Sequence, residues 1–117
     1  MRPLHEIIET PAYLAAAERA GMTEEDRAAV VDFIAANPQA GDLIKGSGGV
    51  RKVRIAKPGG GKSGGWRVLT AYISETVAVL LVTAYGKNQR GNVSKAEVNE
   101  MAGLMKELKA EARRSNK

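Results

Sequence analysis

The spacing of apolar and polar positions changes period along the chain and predicts a sequence of short elements. Leu4 to Glu9 reads as a short strand or extended lead-in. Thr10-Pro11 then opens a helix, with a cap residue followed by proline at the first helical position. That helix runs through Tyr13, Leu14 and three alanines and stops at Gly21. Thr23 caps a second helix with Glu24, Glu25 and Asp26 in its first turn, where carboxylates favour the helix dipole. Val30, Phe33 and Ile34 form its apolar stripe, and Asn37-Pro38 ends it. The two helices predict a hairpin whose outer face is acidic.

Gly41 to Gly49 reads as a loop. Val50 to Lys57 alternates as a strand does, with Val53 and Ile55 on one face and Lys52 and Arg54 on the other. Pro58 to Gly65 is a glycine-rich turn. Trp66 to Ile73 is a second strand, Ser74-Glu75-Thr76 a tight turn, and Val77 to Tyr85 a third strand. The third is apolar on both faces, which predicts a central place in the sheet. After a polar loop, Ser94 caps a last helix, with Glu97 completing a capping box. Val98, Met101, Met105 and Leu108 form its apolar stripe. The predicted order is β-α-α-β-β-β-α. This is an α+β fold: a small, mainly antiparallel sheet, an N-terminal helical hairpin and a C-terminal helix, with the helices on one face. The 117 residues suit a single domain, 1–117.

Composition narrows the chemistry. The chain has no cysteine, which removes disulfides, thiolate zinc sites and a Cys nucleophile, and fits a reducing compartment. The first residues lack the apolar run of a signal peptide, and the longest aliphatic stretch, Val77 to Val82, is too short to span a bilayer. The expectation is a cytoplasmic protein without a membrane partner. His5 is the one histidine, so metal clusters and Ser-His-Asp chemistry are not available. No metal and no cofactor are expected, and His5 is read as a surface or structural residue.

Charge is unevenly distributed. Residues 1–42 hold three Lys/Arg against eight acids, a net of −5. Residues 43–95 hold ten Lys/Arg against Glu75 alone, a net of +9. Residues 96–117 are nearly balanced, at +1. A cationic block in a β-rich segment points to a polyanion, with nucleic acid ahead of an acidic protein. Its members Arg51, Lys52, Arg54, Lys57, Lys62, Arg67, Lys87 and Arg90 come from neighbouring β-elements and loops. Trp66, Tyr72 and Tyr85 are nearby in sequence, and aromatics beside cations suit single-stranded RNA. The competing reading places these aromatics in the core. The segment Ala56-Lys57-Pro58-Gly59-Gly60-Gly61-Lys62-Ser63 satisfies a loose nucleotide-loop pattern. It leads into a strand rather than a helix, which argues against nucleotide hydrolysis.

Four runs then carry a family resemblance: Gly41-Asp42-Leu43-Ile44, Gly48 to Arg54, Gly61 to Val68, and Tyr85-Gly86-Lys87-Asn88. With Glu9-Thr10-Pro11 and Ala36-Asn37-Pro38, their order and spacing resemble the HigB-type branch of the RelE/ParE toxin superfamily. The resemblance implies the toxin of a type II toxin–antitoxin pair that cleaves mRNA in the ribosomal A site. It also implies silencing by a cognate antitoxin, often a helix-turn-helix protein, through which alone operator DNA would be bound. It places the catalytic residues on Lys52, Arg54, Arg67 and Lys87, with Arg51, Lys57, Lys62, Trp66, Asn88 and Arg90 as RNA contacts. Asn88 stands where the RelE pattern has a loop arginine, with Arg90 nearby, and Ser94 falls near the position of its C-terminal tyrosine. In that scheme Arg67 holds the phosphorane oxygens, while Lys52, crowded by Arg51 and Arg54, is the candidate general base. The alternatives are a ParE-like gyrase poison and a non-enzymatic nucleic-acid-binding module.

Overall fold

The computed structural model describes residues 4–56, 65–86 and 93–115. Its elements follow in the order β1 (Ile7–Glu9), α1 (Pro11–Arg19), α2 (Glu24–Ala36), β2 (Asp42–Leu43), β3 (Val50–Ile55), β4 (Trp66–Ala71), β5 (Val79–Gly86) and α3 (Lys95–Ser115). The predicted α+β order holds, with one addition. Within the stretch read as a loop, Asp42 and Leu43 pair with Lys52 and Arg51 to make the short edge strand β2. Two residues are too few to show a period, so the pattern could not reveal it.

The local signals act as their chemistry dictates. The Thr10 side chain accepts from the Tyr13 amide and Pro11 opens α1. Thr23 and Asp26 exchange hydrogen bonds in a full capping box at the start of α2. At α3 the Ser94 hydroxyl accepts from the Glu97 amide, and the Glu97 carboxylate accepts from the Ser94 amide.

The five strands form one sheet in the order β1-β5-β4-β3-β2. β1 is parallel to β5, and the other pairings are antiparallel. β5 therefore has neighbours on both sides, as its apolar faces predict. The helices do not all lie on one face. Tyr13 and Ala17 of α1 and Val30 and Ile34 of α2 pack against Val53, Val68 and Leu81. Met101 and Met105 of α3 instead pack with Val50, Leu69 and Ala71. These strand residues alternate with the first set, so α3 covers the opposite face. The sheet is sandwiched because β4 and β5 carry apolar residues on both sides, each needing cover.

α3 is seated through close backbone approach. A Cβ on Gly48, whose φ is +80°, would come within 3.2 Å of Met105 Cβ. Lys109 Nζ also donates to the Gly48 carbonyl at 2.8 Å. On the other face, His5 Nε2 donates to the Val77 carbonyl at 2.6 Å, and its ring lies 5.7 Å from that of Tyr72. The histidine thus ties the β1 lead-in to the segment before β5, a structural role. Arg27 of α2 reaches Glu9 of β1 at 3.1 Å.

Tyr13 is fully buried, and its hydroxyl has no hydrogen-bond partner among the described residues. Burial, with the Glu9 carboxylate adding to it and Arg27 opposing, pushes its pKa up to about 12. The unfolded chain ionises this phenol near its ordinary value of about 10. Its contribution to stability is therefore complete below pH ~10 and is lost as the pH rises toward about 12. Tyr13→Phe is expected to leave stability at pH 7 unchanged or raised by up to about 1 kcal/mol, because a buried unpaired hydroxyl is removed. It should also reduce the fall in stability above pH ~10. Urea unfolding of both proteins at pH 8 and pH 11 checks this.

Candidate nucleic-acid interface

The sheet register assigns each basic side chain to a face. Residues directly opposite each other on paired strands share a face, and neighbours along a strand alternate. On β3, Val50, Lys52 and Arg54 point to the α3 side. Lys52 stands opposite Leu69, and Arg54 opposite Arg67. Across the next pairing, Leu69 stands opposite Thr83 and Arg67 opposite Tyr85. Two rows result, Lys52–Leu69–Thr83 and Arg54–Arg67–Tyr85. Paired strands lie about 4.8 Å apart, and alternate residues on a strand about 6.7 Å, so the three cations occupy a phosphate-sized patch.

Position on β5 depends on an irregularity that alternation alone does not reveal. Leu69 pairs with Thr83, yet Thr70 pairs with Leu81, leaving Val82 as an extra residue. This bulge lets Val82 and Thr83 point to the same side, where both line one cleft with α3. It also reverses the alternation, sending Ala84 into the helical-hairpin core and Tyr85 to the side of Arg67. Without it, Thr83 and Tyr85 would face away from the cations. Thr83 was not singled out by sequence reasoning for that reason.

Lys52, Arg54 and Arg67 make no ion pair among the described residues. Arg54 is exposed, while Lys52 and Arg67 are partly so. Among the described residues the ion pairs are Arg27 with Glu9 and Arg114 with Glu111, and neither involves the patch. The acids of α1 and α2 belong to the layer on the other face of the sheet, while Glu97 and Glu100 of α3 lie on the patch side and line a cleft with Thr83. Two arginines directly opposite each other repel, at a cost of about 0.2–1 kcal/mol relative to a neutral pair. A bound anion removes that cost.

Other expected contacts fall elsewhere. Arg51 alternates with Lys52, points to the helical-hairpin side and donates to the Gln39 carbonyl at 3.0 Å. It is not on the face of Lys52, so the crowding of Lys52 by both arginines is corrected: Arg54 and Arg67 share its face and Arg51 does not. Trp66 is only 7% exposed and packs with the helical-hairpin core beside Ile55. Its ring is a core element rather than a stacking platform, because it stands one residue out of phase with Arg67. Tyr85 is buried on the patch side, and Tyr72 packs partly buried against the helical-hairpin core.

Lys57, Lys62, Lys87, Asn88 and Arg90 lie outside the described residues. The chain ends flanking them are in register: Ile55 opposes Trp66, and Trp66 opposes Gly86. Among the described residues no group of three or more His, Cys, Asp or Glu could hold a metal ion. None of the described helices is long and apolar enough to cross a membrane.

Against this geometry, residues 10–115 match the family model described as the RelE toxin of the RelE/RelB toxin–antitoxin system. The chain belongs to the RelE toxin family. It is thus the toxin member of a toxin–antitoxin pair, and a cognate antitoxin is its implied partner. The sandwich of hairpin, sheet and single helix is the scaffold on which this RelE-family chain carries its open cationic patch.

Proposed function

We propose that the chain is a metal-independent endoribonuclease of the HigB type that cleaves mRNA in the ribosomal A site. The observation that carries this reading is the convergence of Lys52, Arg54 and Arg67 on one sheet face without an ion pair among the described residues. Lys87, outside the described residues, is taken as the fourth catalytic residue on the family resemblance alone.

In the proposed reaction an RNA 2′-oxygen attacks its own 3′-phosphorus. The 2′-O–P bond forms, the P–O5′ bond breaks, the 2′ proton leaves and the 5′-oxygen takes one up. The products are a 2′,3′-cyclic phosphate and a 5′-hydroxyl. Because the nucleophile is already tethered, the protein need mainly position the strand and stabilise charge. Arg67, between Arg54 and Tyr85, holds two phosphorane oxygens with its planar guanidinium. Lys52 and Arg54 offset the charge that develops there, the largest usual contribution to such catalysis.

Pulsed production of the chain in growing cells, followed by primer extension on ribosome-bound message, tests this. New 5′ ends inside codons are expected within minutes. Growth arrest with intact message and inhibited gyrase would overturn it in favour of a ParE-like poison. A second measurement addresses the contacts. Binding of an RNA carrying a 2′-deoxy nucleotide at the scissile position should weaken with salt. Arg54→Ala should reduce that slope by about 0.7, one phosphate contact to a single strand.

A further inference from the structure

Lys52, Arg54 and Arg67 bring positive charge to the scissile phosphate, and none of them accounts for the proton that leaves the 2′-oxygen. The short edge strand β2 sets a carboxylate beside them. Asp42 stands directly opposite Lys52 in the β2–β3 pairing, so the two side chains share a face. Ile44, two residues on, packs into the α3-side cluster with Met101 and Met105, in agreement with that face. The row beside Arg54–Arg67–Tyr85 thus extends to Asp42–Lys52–Leu69–Thr83. The other acid of the described strands, Glu9 of β1, turns to Arg27 on the helical-hairpin side.

Several contacts hold Asp42 in place. Gly41 has φ of +97°, and a Cβ on it would come within 2.5 Å of the Lys52 carbonyl oxygen, so the chain meets β3 in backbone contact one residue before Asp42. On the near side, Arg51 donates to the Gln39 carbonyl at 3.0 Å. On the far side, the Ile44 amide donates to the Val50 carbonyl at 2.9 Å. The buried Ser47 hydroxyl donates to the Ile44 carbonyl at 2.6 Å and accepts from the Val50 amide at 3.0 Å. The side chain seated this way is uncommitted. Asp42 is exposed and makes no ion pair among the described residues, with Lys52 or any other cation. A carboxylate beside a phosphate site weakens RNA binding, so its place there calls for a role other than affinity.

We propose that Asp42 is the general base of the cleavage reaction and takes the proton from the attacking 2′-hydroxyl. The inference rests on the endoribonuclease reading and adds a residue to it. A phosphate gripped by Lys52, Arg54 and Arg67 lies about one strand spacing, ~4.8 Å, in from Asp42. The 2′-oxygen of the same nucleotide fills that gap, within the reach of about 2.6–3.2 Å that proton transfer requires. As the 2′-O–P bond forms, the 2′ proton passes to Asp42. As the P–O5′ bond breaks, the 5′-oxygen takes a proton from water. The hydroxide left behind removes the proton from Asp42 and restores the carboxylate. Lys52 then offsets charge and need not accept the proton itself.

Single-turnover cleavage by the full chain on programmed ribosomes tests this. Asp42→Asn keeps the shape and loses the proton acceptor, and the cleavage rate should fall about a hundredfold or more. Affinity for the RNA carrying a 2′-deoxy nucleotide at the scissile position should be unchanged or tighter, because a negative charge beside the phosphate is gone. Asp42→Glu keeps a carboxylate and should cleave at least tenfold faster than Asp42→Asn. Both variants should melt as the wild type does, since Asp42 is exposed and unpaired. A wild-type rate in Asp42→Asn would overturn the assignment. So would slower cleavage that weaker binding or a lowered melting temperature accounts for, or an Asp42→Glu protein no faster than Asp42→Asn. The two readings separate cleanly. A wild-type chain that makes no new 5′ ends removes the endoribonuclease reading and Asp42 with it, whereas equal cleavage by the wild type and Asp42→Asn removes Asp42 alone.

Discussion

Arg67→Ala is expected to lower the rate of RNA cleavage by about 10²–10³-fold while leaving the fold intact and no less stable. Loss of a donor aimed at developing charge in a preorganised site costs roughly 2.7–4 kcal/mol of barrier. The stability side follows from register. Arg67 stands opposite Arg54, and neither makes an ion pair among the described residues. Truncation therefore relieves repulsion of about 0.2–1 kcal/mol and exposes no orphaned partner. Arg67→Lys keeps the charge but loses the two-point grip on the phosphate, so it should recover only part of the rate. Single-turnover cleavage on programmed ribosomes, paired with thermal melts, measures both effects. Wild-type cleavage by Arg67→Ala would remove Arg67 from the mechanism. Lost cleavage with a collapsed melting temperature would show a structural role instead.

The opposition of Arg54 and Arg67 also shows which parts of the site could be read in advance. Strict alternation along Val50–Ile55 is enough to put Lys52 and Arg54 on one face, because side chains on a strand have a period of two. The same logic places Arg67 one residue out of phase with buried Val68. Two features leave no mark in the pattern, the bulge in β5 and the sheet face that α3 covers. The residues of β5 are apolar on both faces, so a one-residue bulge at Val82 leaves no mark in the pattern, yet it decides that Tyr85 faces Arg67. Arg51 and Trp66 stand beside the proposed catalytic residues Lys52 and Arg67 in sequence, and the same alternation sends both to the opposite face. The caps of α1, α2 and α3 were readable because capping is local chemistry. The placement of α3 on the far face was not, since it depends on which sheet face lacks cover.

The largest effect on stability is expected from Gly41→Val. Gly41 has φ of +97°, a conformation that residues with a branched Cβ strongly disfavour. A Cβ there would come within 2.5 Å of the Lys52 carbonyl oxygen and 2.9 Å of Val53 Cγ2. The first of these is backbone in the β2–β3 ladder and cannot swing aside. Either β2 must separate from β3 or β3 must shift, at about 3 kcal/mol or more once strain and lost pairing are combined. Gly103→Ala is the matching control. Its Cβ meets nothing within 4 Å, and it lies inside α3, so the change should stabilise by about 0.5–1 kcal/mol. Because the contact at Gly41 falls on the backbone of Lys52, the site should suffer with the fold. Cleavage by Gly41→Val is expected to drop even at temperatures well below its melting point, whereas Gly103→Ala should cleave as the wild type does. Equal melting temperatures for the wild type and Gly41→Val would show that the edge strand yields freely. The position of Lys52 would then owe nothing to β2.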